Sequence, residues 1–421
     1  MTAFELRSAT SPAQVPEARE LSWPVVPGSA GALRTDLNPW LTSLGPVPNG
    51  ATDLVRFATG AYLADQLKAR PQSFSRSFDL RVHLVDPDAW PGPVLDDLAD
   101  LLSSLTADDW QLESLRDTTE PRPVASEDEA WKEATRVVLL SGGLDSFAGA
   151  AISSAEPGVL YLGHWDQPAV KSAQNAVKAW FAASGRPIDY LQLLHGVRDD
   201  KAEGTTRSRS LLFMALAVAL AAARGAAIVE VPENGYTSLN PPLGPERGGA
   251  LSTRSTHPWT IARFNRLLDA LGIAVRVRNP HEDLTKGELV RLAVAVSPGD
   301  FGVGAAKTLS CAKLNGHWYK GGNPNYHCGL CVACIVRRAS LTAGGVPDQT
   351  AYLFETLVGD AQADILRHRG RDIDAIRLAI ATGLDDIDLM ALGPFPDDFD
   401  LDAGLALCRR ALEEIARVPL G

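Results

Sequence analysis

The stretch SGGLDS at residues 141–146 places two hydroxyls, two glycines and a carboxylate directly behind the apolar run 137–140. The apolar run is typical of a buried strand, and the following FAGAAISSA is typical of a helix start. Gly142 and Gly143 allow successive backbone amides to converge on an anion at the positive end of that helix, and the serine hydroxyls add donors. The sequence therefore predicts that this loop binds a phosphate-bearing group.

The order of residues in this loop limits the phosphate chemistry that it serves. It lacks the lysine that follows the second glycine of a Walker A loop, and it is neither GxGxxG nor GxSxG. Transfer of a terminal phosphoryl group by a Walker-type site is therefore not expected. Asp145 either accepts hydrogen bonds that hold the loop or helps to position Mg²⁺, and the sequence leaves both roles open.

A second chemical signal is a group of four cysteines with the spacing C-x16-C-x2-C-x2-C. Four thiolates are enough for a closed tetrahedral zinc site, and a metal with no open position is structural rather than catalytic. In a reducing compartment this spacing favours metal ligation over disulfides. The predicted ligands are Cys311, Cys328, Cys331 and Cys334.

Other uses of these residues stay open at this point. His317 and His327 are nearby alternatives should one cysteine not ligate the metal. Redox chemistry by Cys331 and Cys334 is a weaker alternative. The fifth cysteine, Cys408, lies on a predicted helical face and is expected to be a small buried residue.

From Thr135 onwards, strand-like and helix-like segments alternate along the chain. This pattern predicts an α/β domain with an open, mostly parallel sheet and helices on both faces. Ligands bind beyond the carboxyl ends of the strands in such sheets, and SGGLDS lies at one such end. The predicted strands are 136–140, 158–165, 188–196, 226–233 and 273–280.

The predicted organisation has an accessory module, a central domain and a helical tail. Residues 1–125 are predicted to form an α+β accessory module, in which residues 78–86 have the alternating pattern of a strand. Residues 126–345 form the domain with the loop and the cysteines, and 346–421 form a helical C-terminal segment. The polar, proline-containing stretch 117–130 is the predicted linker.

Composition indicates a globular chain. Its 421 residues are 45% hydrophobic and 22% charged, so it can bury a sizeable core, and its length favours more than one domain. The net charge of −11 and the absence of long Lys/Arg runs argue against a general nucleic-acid binder. The N-terminus lacks a signal-peptide pattern, and the apolar stretch 211–231 is interrupted by Arg224 and Gly225. A cytoplasmic protein without a membrane span is therefore predicted.

The pairing of SGGLDS with SC and HCGLCVACIVRR, about 170 residues later, resembles the 7-cyano-7-deazaguanine synthases, the QueC family of N-type ATP pyrophosphatases. The resemblance covers about residues 135–345. It implies the cofactors ATP, Mg²⁺ and structural zinc. It also implies that ATP adenylates a carboxylate, 7-carboxy-7-deazaguanine, and that ammonia then gives an amide and a nitrile. The implied ATP-binding residues are Leu140, Ser141, Gly142, Gly143, Leu144, Asp145, Ser146 and Arg209.

The resemblance assigns catalytic roles to Asp145, Ser146 and Lys286. Lys286 lies in LTKGELV, which corresponds to the family's lysine-containing segment ahead of the cysteines. RSRSLLF stands where the family has an Arg-Asn pair opening a helix, so Arg209 is retained and Ser210 replaces the asparagine.

The substrate region departs from the family. The family's Gly-Tyr-Pro-Asp-Cys-Arg stretch is absent, and this chain has VPENGYTSLNPPLGPERGG and then LSTRSTHPW. The candidate substrate contacts, expected on the carboxyl side of the sheet, are Glu233, Asn234, Arg254 and His257. Together with the N-terminal extension, these departures are more similar to the QueC-like proteins of anti-phage defence systems of the Qat and type IV CBASS types.

The predicted function is therefore ATP-dependent adenylation of a deazaguanine-type carboxylate, followed by transfer to an amine, in a defence setting. Protein partners from a defence operon are expected at the N-terminal module, and neither a membrane nor direct nucleic-acid binding is expected. The oligomeric state is left open. Two alternatives remain: an ordinary 7-cyano-7-deazaguanine synthase of queuosine biosynthesis, and a non-catalytic nucleotide-binding adaptor.

Overall fold

The computed structural model of the chain describes residues 2–118, 132–198, 201–204, 207–244 and 254–419. Most of the predicted linker at 117–130 lies outside these residues. The same holds for the end of the first departing stretch and for the residues that precede Arg254 in the second.

The N-terminal residues form a four-stranded sheet in which every strand pair is parallel. The strand predicted at 78–86 is β4 of this sheet, whose order is β2-β1-β4-β5. The elements of this region are β1 Thr2–Ser8, β2 Arg19–Trp23, β3 Leu33–Thr35, α1 Asn49–Leu67, β4 Ser77–Leu84, α2 Gly92–Thr106 and β5 Asp109–Arg116.

The central region forms a six-stranded sheet in the order β10-β9-β6-β7-β8-β3. Only β3, contributed by the N-terminal region, pairs antiparallel, so the predicted α/β class with a mostly parallel sheet is confirmed. The elements are β6 Arg136–Leu139, α3 Leu144–Ser153, β7 Val159–Trp165, α4 Pro168–Ala183, β8 Asp189–Val197, α5 Arg209–Ala223, β9 Ile228–Glu230, α6 Gly235–Leu239, α7 Pro258–Ala270 and β10 Arg276–Arg278.

The remainder of the described chain is helical, as predicted for the C-terminal segment. Within the residues that the structure describes, none of the helices combines the length and the apolar character that a membrane crossing requires. The helices are α8 Lys286–Val296, α9 Phe301–Ala305, α10 Val332–Ala343, α11 Leu353–Thr356, α12 Gly359–Thr382, α13 Asp386–Met390 and α14 Leu401–Ala416.

Helix α1 lies between the two sheets and was not foreseen from the sequence. It packs against β4 on one side and against α5 on the other, and nearly all of its residues are buried. Gly60 permits the close approach to β4, because a Cβ there would lie 3.1 Å from Leu80 Cδ1. One hydrophobic core consequently runs from the N-terminal sheet through α1 to the central sheet. The three-part division of the chain stays a prediction.

A buried histidine joins three elements at this junction. His195 on β8 hydrogen-bonds through Nδ1 to Thr35 Oγ1 of β3 and through Nε2 to Thr59 Oγ1 of α1, both at 2.9 Å. The ring also lies against Trp23, with the ring centroids 5.0 Å apart. Burial, together with the nearby His164, lowers the pKa of His195 well below its ordinary value. The ring is therefore neutral in the folded protein.

Acidification should weaken the fold partly through this histidine. As the pH falls below about 6.5, His195 becomes protonated in the unfolded chain but stays neutral in the folded protein. This difference lowers the free energy of unfolding by up to about 1.4 kcal/mol per pH unit. We expect the melting temperature of His195→Gln to be lower than that of the wild type at about pH 8, and to fall less steeply towards about pH 5. The exposed His368→Gln substitution is the control and should keep the wild-type slope. Equal slopes for all three proteins would contradict the assignment.

Candidate functional site

The site lies where the strand order of the central sheet changes direction. From β6 the chain continues through β7 and β8 on one side, and then returns to β9 and β10 on the other. The loops that follow β6 and β9 therefore lie side by side beyond the carboxyl ends of their strands. Open α/β sheets bind their ligands at such positions.

The loop after β6 adopts the backbone that its glycines allow. Gly142 has a φ of +91°, and a Cβ at this position would lie 3.2 Å from Gln174 Cγ. The Ser141 and Ser146 hydroxyl oxygens are 3.1 Å apart, and the Gly143 amide donates to Ser141 Oγ at 3.3 Å. Because α3 begins at Leu144, the paired hydroxyls lie at the positive end of a helix. This geometry is suited to an anion.

Asp145 connects this loop to two other elements. Its Oδ1 accepts a hydrogen bond from Asn234 Nδ2 at 2.9 Å, and its Oδ2 forms an ion pair with the Lys286 ammonium. Burial alone would raise the pKa of Asp145, but Lys286 and the hydrogen bonds keep this pKa below its usual value. The side chain is thus an ionised, buried carboxylate that joins the loop after β6, the loop after β9 and the start of α8.

The loop after β9 supplies a second carboxyl group and an amide. Asn234 is fully buried and begins α6, where its Oδ1 accepts from the Thr237 amide at 3.0 Å. Glu233 is half-buried, and burial together with the charge of Asp145 raises its pKa well above the ordinary value. Two neighbouring carboxyl groups therefore differ in their affinity for protons, because Lys286 pairs with one of them and the other lies against a negative charge.

Lys286 owes its position to the N-terminus of α8. Thr285 and Glu288 form a capping box there, with the Glu288 amide donating to Thr285 Oγ1 at 3.1 Å. The Gly287 amide donates to Glu414 Oε2 of α14 at 3.0 Å. The C-terminal helix thereby fixes the first turn of α8 and, with it, the lysine that faces Asp145.

Two cavities adjoin the loop and share Ser141, Ser146, Pro232 and Glu233. The lysine cavity, of about 440 Å³, is also lined by Asp145, Lys286, Ser310, Lys313 and Cys331. The arginine cavity, of about 370 Å³, is also lined by Leu105, Arg207, Arg209, Ser210 and Arg254. Each cavity thus combines the loop hydroxyls with cationic side chains.

The structure brings most of the sequence-predicted residues together, but His257 lies apart from them. Its side chain is only 2% exposed, and Nδ1 accepts a hydrogen bond from the Trp259 amide at 3.3 Å at the start of α7. Burial, with a contribution from Arg254, lowers the pKa of His257 to about 4, and its ring packs against Phe395. His257 is not one of the described residues that line either cavity.

Sequence reasoning missed several lining residues. Ser310 and Lys313 flank Cys311, so their closeness to a predicted metal ligand was the available signal. Arg207 stands two residues before Arg209, and Leu105 comes from α2 of the N-terminal region. Nothing in the sequence pattern near Leu105 pointed to the central sheet.

The four cysteines converge as a tetrahedral metal site requires. Their sulfur atoms all lie within 4.8 Å of one another, with Cys331 to Cys334 at 3.5 Å and Cys328 to Cys334 at 3.9 Å. Zinc–sulfur bonds of about 2.3 Å place tetrahedral sulfurs about 3.8 Å apart. The amides of Lys313 and Cys328 both donate to Cys311 Sγ at 3.3 Å, which favours a thiolate. The donor set therefore fits structural zinc, and no histidine in the described residues belongs to the group.

A buried arginine connects this cluster to the loop after β6. Arg337 on α10 is fully buried and donates to the hydroxyls of Thr308 and Ser310 at 2.8 and 3.1 Å. The intervening Leu309 amide donates to the Gly142 carbonyl oxygen at 2.8 Å. Since α10 also carries Cys334, the segment 308–310 connects the helix of the cysteine cluster to the loop after β6.

Comparisons with known proteins point to one family over part of the chain. Residues 255–345 match the family model described as queuosine biosynthesis protein QueC. The chain is 29% identical over 237 residues to the 7-cyano-7-deazaguanine synthases of Cupriavidus taiwanensis and Cupriavidus necator, which covers 51% of this chain and 96% of each relative. It is 36% identical over 78 residues to the synthase of Porphyromonas gingivalis, which covers 18% of this chain and 29% of that protein.

Over about half of its length, the chain is therefore similar to 7-cyano-7-deazaguanine synthases. The residues matched by the family model include Lys286 and the four cysteines, whereas the loop at 141–146 lies outside that match. Nearly the whole length of the Cupriavidus relatives is accounted for by half of this chain. The other half has no counterpart in those alignments.

Removing one cysteine should release the metal and destabilise the fold. Purified wild-type protein should contain about one zinc per chain, and Cys331→Ser should lose it together with about 10 °C in melting temperature, because binding energy at a structural zinc site is also folding energy. Cys408→Ser, at a buried cysteine outside the cluster, is the matched control and should retain its zinc. Wild-type protein without zinc, or a Cys331→Ser variant that keeps it, would refute this site.

Proposed function

We propose that the chain uses ATP to adenylate the carboxylate of a 7-deazaguanine-type base and then transfers the activated acyl group to an amine. The observation that carries this proposal is the convergence of the 141–146 loop, the Asp145–Lys286 ion pair and Glu233 at one edge of the central sheet. The similarity to 7-cyano-7-deazaguanine synthases supports this reaction class.

In the proposed reaction a substrate carboxylate oxygen attacks the α-phosphorus of ATP. The bond between that phosphorus and the bridging oxygen breaks, and pyrophosphate leaves. The amine then attacks the acyl carbon, the bond to AMP breaks, and one proton of the amine passes to water. The protein has to neutralise the departing pyrophosphate and keep the carboxylate beside the phosphorus.

The residues present suit these tasks. The loop amides and the hydroxyls of Ser141 and Ser146 would hold the β and γ phosphates. Lys286 and Arg209 would stabilise the charge that develops on the pyrophosphate. Asp145 accepts hydrogen bonds that hold the loop, and its ionised carboxylate is also the kind of ligand that Mg²⁺ takes together with substrate phosphates. The zinc site has four protein ligands and would support the loop without contacting the reacting atoms.

The identity of the acceptor is a separate part of the proposal. We propose an amine other than free ammonia, such as an amine of a protein, in the setting of anti-phage defence. Two features support it: the region around 231–258 departs from the family's substrate stretch, and about half of the chain lies outside the alignments with the biosynthetic relatives. Adenylation requires only the carboxylate and ATP, whereas the acceptor depends on what the surrounding loops admit.

Replacing Lys286 should remove most of the activation step. We expect Lys286→Met to lower pyrophosphate release from ATP and 7-carboxy-7-deazaguanine by about 100-fold, because a cation at the departing phosphates and the partner of Asp145 are lost together. Lys178→Met, at an exposed lysine on α4, should leave the rate unchanged. Circular dichroism would verify that both variants are folded. Wild-type protein without pyrophosphate release, or a fully active Lys286→Met, would reject the proposed activation.

The acceptor can be identified by following the carboxylate itself. The protein, ATP and isotopically labelled 7-carboxy-7-deazaguanine would be incubated with ammonia, or with proteins encoded beside its gene, and both small molecules and proteins analysed by mass spectrometry. We expect the label on a protein amine, with little free nitrile. Rapid and exclusive formation of the nitrile from ammonia would favour the biosynthetic alternative instead.

A further inference from the structure

The connection between β8 and α5 is held by the N-terminal region rather than by the central sheet alone. The Gln66 carbonyl oxygen of α1 accepts hydrogen bonds from the amides of Ala202 and Glu203 at 3.0 and 3.1 Å. The Glu203 carboxylate in turn accepts from the Arg70 amide at 3.0 Å. The described part of this connection therefore docks on the C-terminal end of α1.

Asp65 of α1 provides the most direct link to α5. Its Oδ2 accepts from the backbone amides of Arg207 and Ser208 at 3.0 and 3.1 Å, and from the Ser208 hydroxyl at 2.8 Å. These two amides directly precede α5, which begins at Arg209. The Ser208 side chain makes no capping bond to the amides of α5. A carboxylate from a distant part of the sequence thus fixes the backbone that leads into α5, and its negative charge lies near the positive end of that helix.

The ion pairs around Asp65 hold it in this orientation. Arg76 Nη2 contacts Asp65 Oδ1 at 2.5 Å and Asp108 Oδ2 at 2.6 Å, and all three side chains are fully buried. One oxygen of Asp65 therefore faces Arg76, while the other faces the amides that precede α5. Asp108 neutralises the same arginine, but its carboxylate accepts hydrogen bonds from Arg70 and Arg76.

The hydrogen bonds from Arg207 and Ser208 to Asp65 are called the Asp65 clamp below. The residues at and after this clamp form a wall of the arginine cavity. Arg207, Arg209 and Ser210 line it, and they lie at or beside the amides that Asp65 accepts from. Leu105, at the end of α2, lines the same cavity directly. The N-terminal region thereby contributes to the cavity both through a lining side chain and through the support of its cationic wall.

We propose that the N-terminal region is a working part of the anion-binding site, and that Asp65 is a positioning residue that sets the arginine-bearing turn of α5 for a phosphate or carboxylate. This inference rests on the proposed function, because it assumes that an anionic substrate occupies the arginine cavity. It assigns Asp65 no contact with substrate. Its effect passes through the backbone of Arg207 and Ser208 to the side chains that meet the ligand.

The test compares Asp65→Ala with Asp65→Asn and Asp108→Asn in the full-length, zinc-loaded protein. Asp65→Ala removes the acceptor for the amides of Arg207 and Ser208, and Asp65→Asn keeps one acceptor oxygen. Asp108→Asn weakens the buried ion pairs without removing that acceptor. Hydrogen exchange of the peptide covering 207–212 reports on the clamp without any substrate. The KM values for ATP and for 7-carboxy-7-deazaguanine, with kcat, report on the cavity.

We expect Asp65→Ala to speed exchange in this peptide by about tenfold and to raise at least one KM by about tenfold, with kcat changed by less than about threefold. Asp65→Asn should recover most of the loss, and Asp108→Asn should lower the melting temperature with wild-type exchange and KM values. The KM that rises identifies the anion. Equal effects of Asp65→Ala and Asp108→Asn, or faster exchange with unchanged KM values, would overturn the inference. A wild-type protein without turnover would instead reject the proposed function, and unchanged exchange in Asp65→Ala would still refute the clamp.

Discussion

The position of β6 between β7 and β9 is the constraint on which the site depends. Parallel pairing on both sides aligns the carboxyl ends of these strands, with Val137 and Val138 opposite Val229 and Glu230. The loops that follow must then share a small space, which brings an ionised aspartate against a glutamate of raised pKa. Lys286 stabilises this arrangement, because its ammonium group compensates the negative charge of Asp145 in a buried environment.

Two carboxylates from outside the central sheet hold helix N-termini that border this space. Asp65 of α1 accepts from the amides at the start of α5, and Glu414 of α14 accepts from an amide in the first turn of α8. In each case the helix begins with a cationic residue that lines a cavity, Arg209 or Lys286. A cation beside the positive end of a helix is unfavourable, and a buried carboxylate at the same helix end offsets that cost. The same arrangement therefore occurs on both sides of the loop at 141–146.

Much of the central domain could be predicted from the sequence because its signals are local. Strand β6, the glycine loop and the helix after it are consecutive, and the cysteine spacing indicates a metal site without any knowledge of the fold. Helix α1 could not be recognised in the same way. Its Asp53, Arg56 and Asp65 are residue types that are usually exposed, yet all three are buried and paired with groups outside α1. Strand β3 is only three residues long, and its partner β8 is far away in the sequence.

Among the individual site residues, too, those with a local sequence signal could be predicted and those that depend on distant contacts could not. Asp145 and Lys286 were assigned through motifs, whereas His257 was expected on the carboxyl side of the sheet, and its ring lies in a cap at the start of α7. The contributions of Asp65 and Glu414 depend on contacts between segments more than 100 residues apart, which no pattern of spacing expresses. Leu105 likewise reaches the cavity from a helix of the N-terminal region. The Cupriavidus relatives align along 96% of their length with only 51% of this chain, so a protein of their size cannot contain both flanking regions in full. Asp65 and Glu414 lie 349 residues apart, so the aligned half of this chain cannot include both of them. At least one of the two carboxylates that border the cavities therefore lies outside the part of the chain that resembles those relatives.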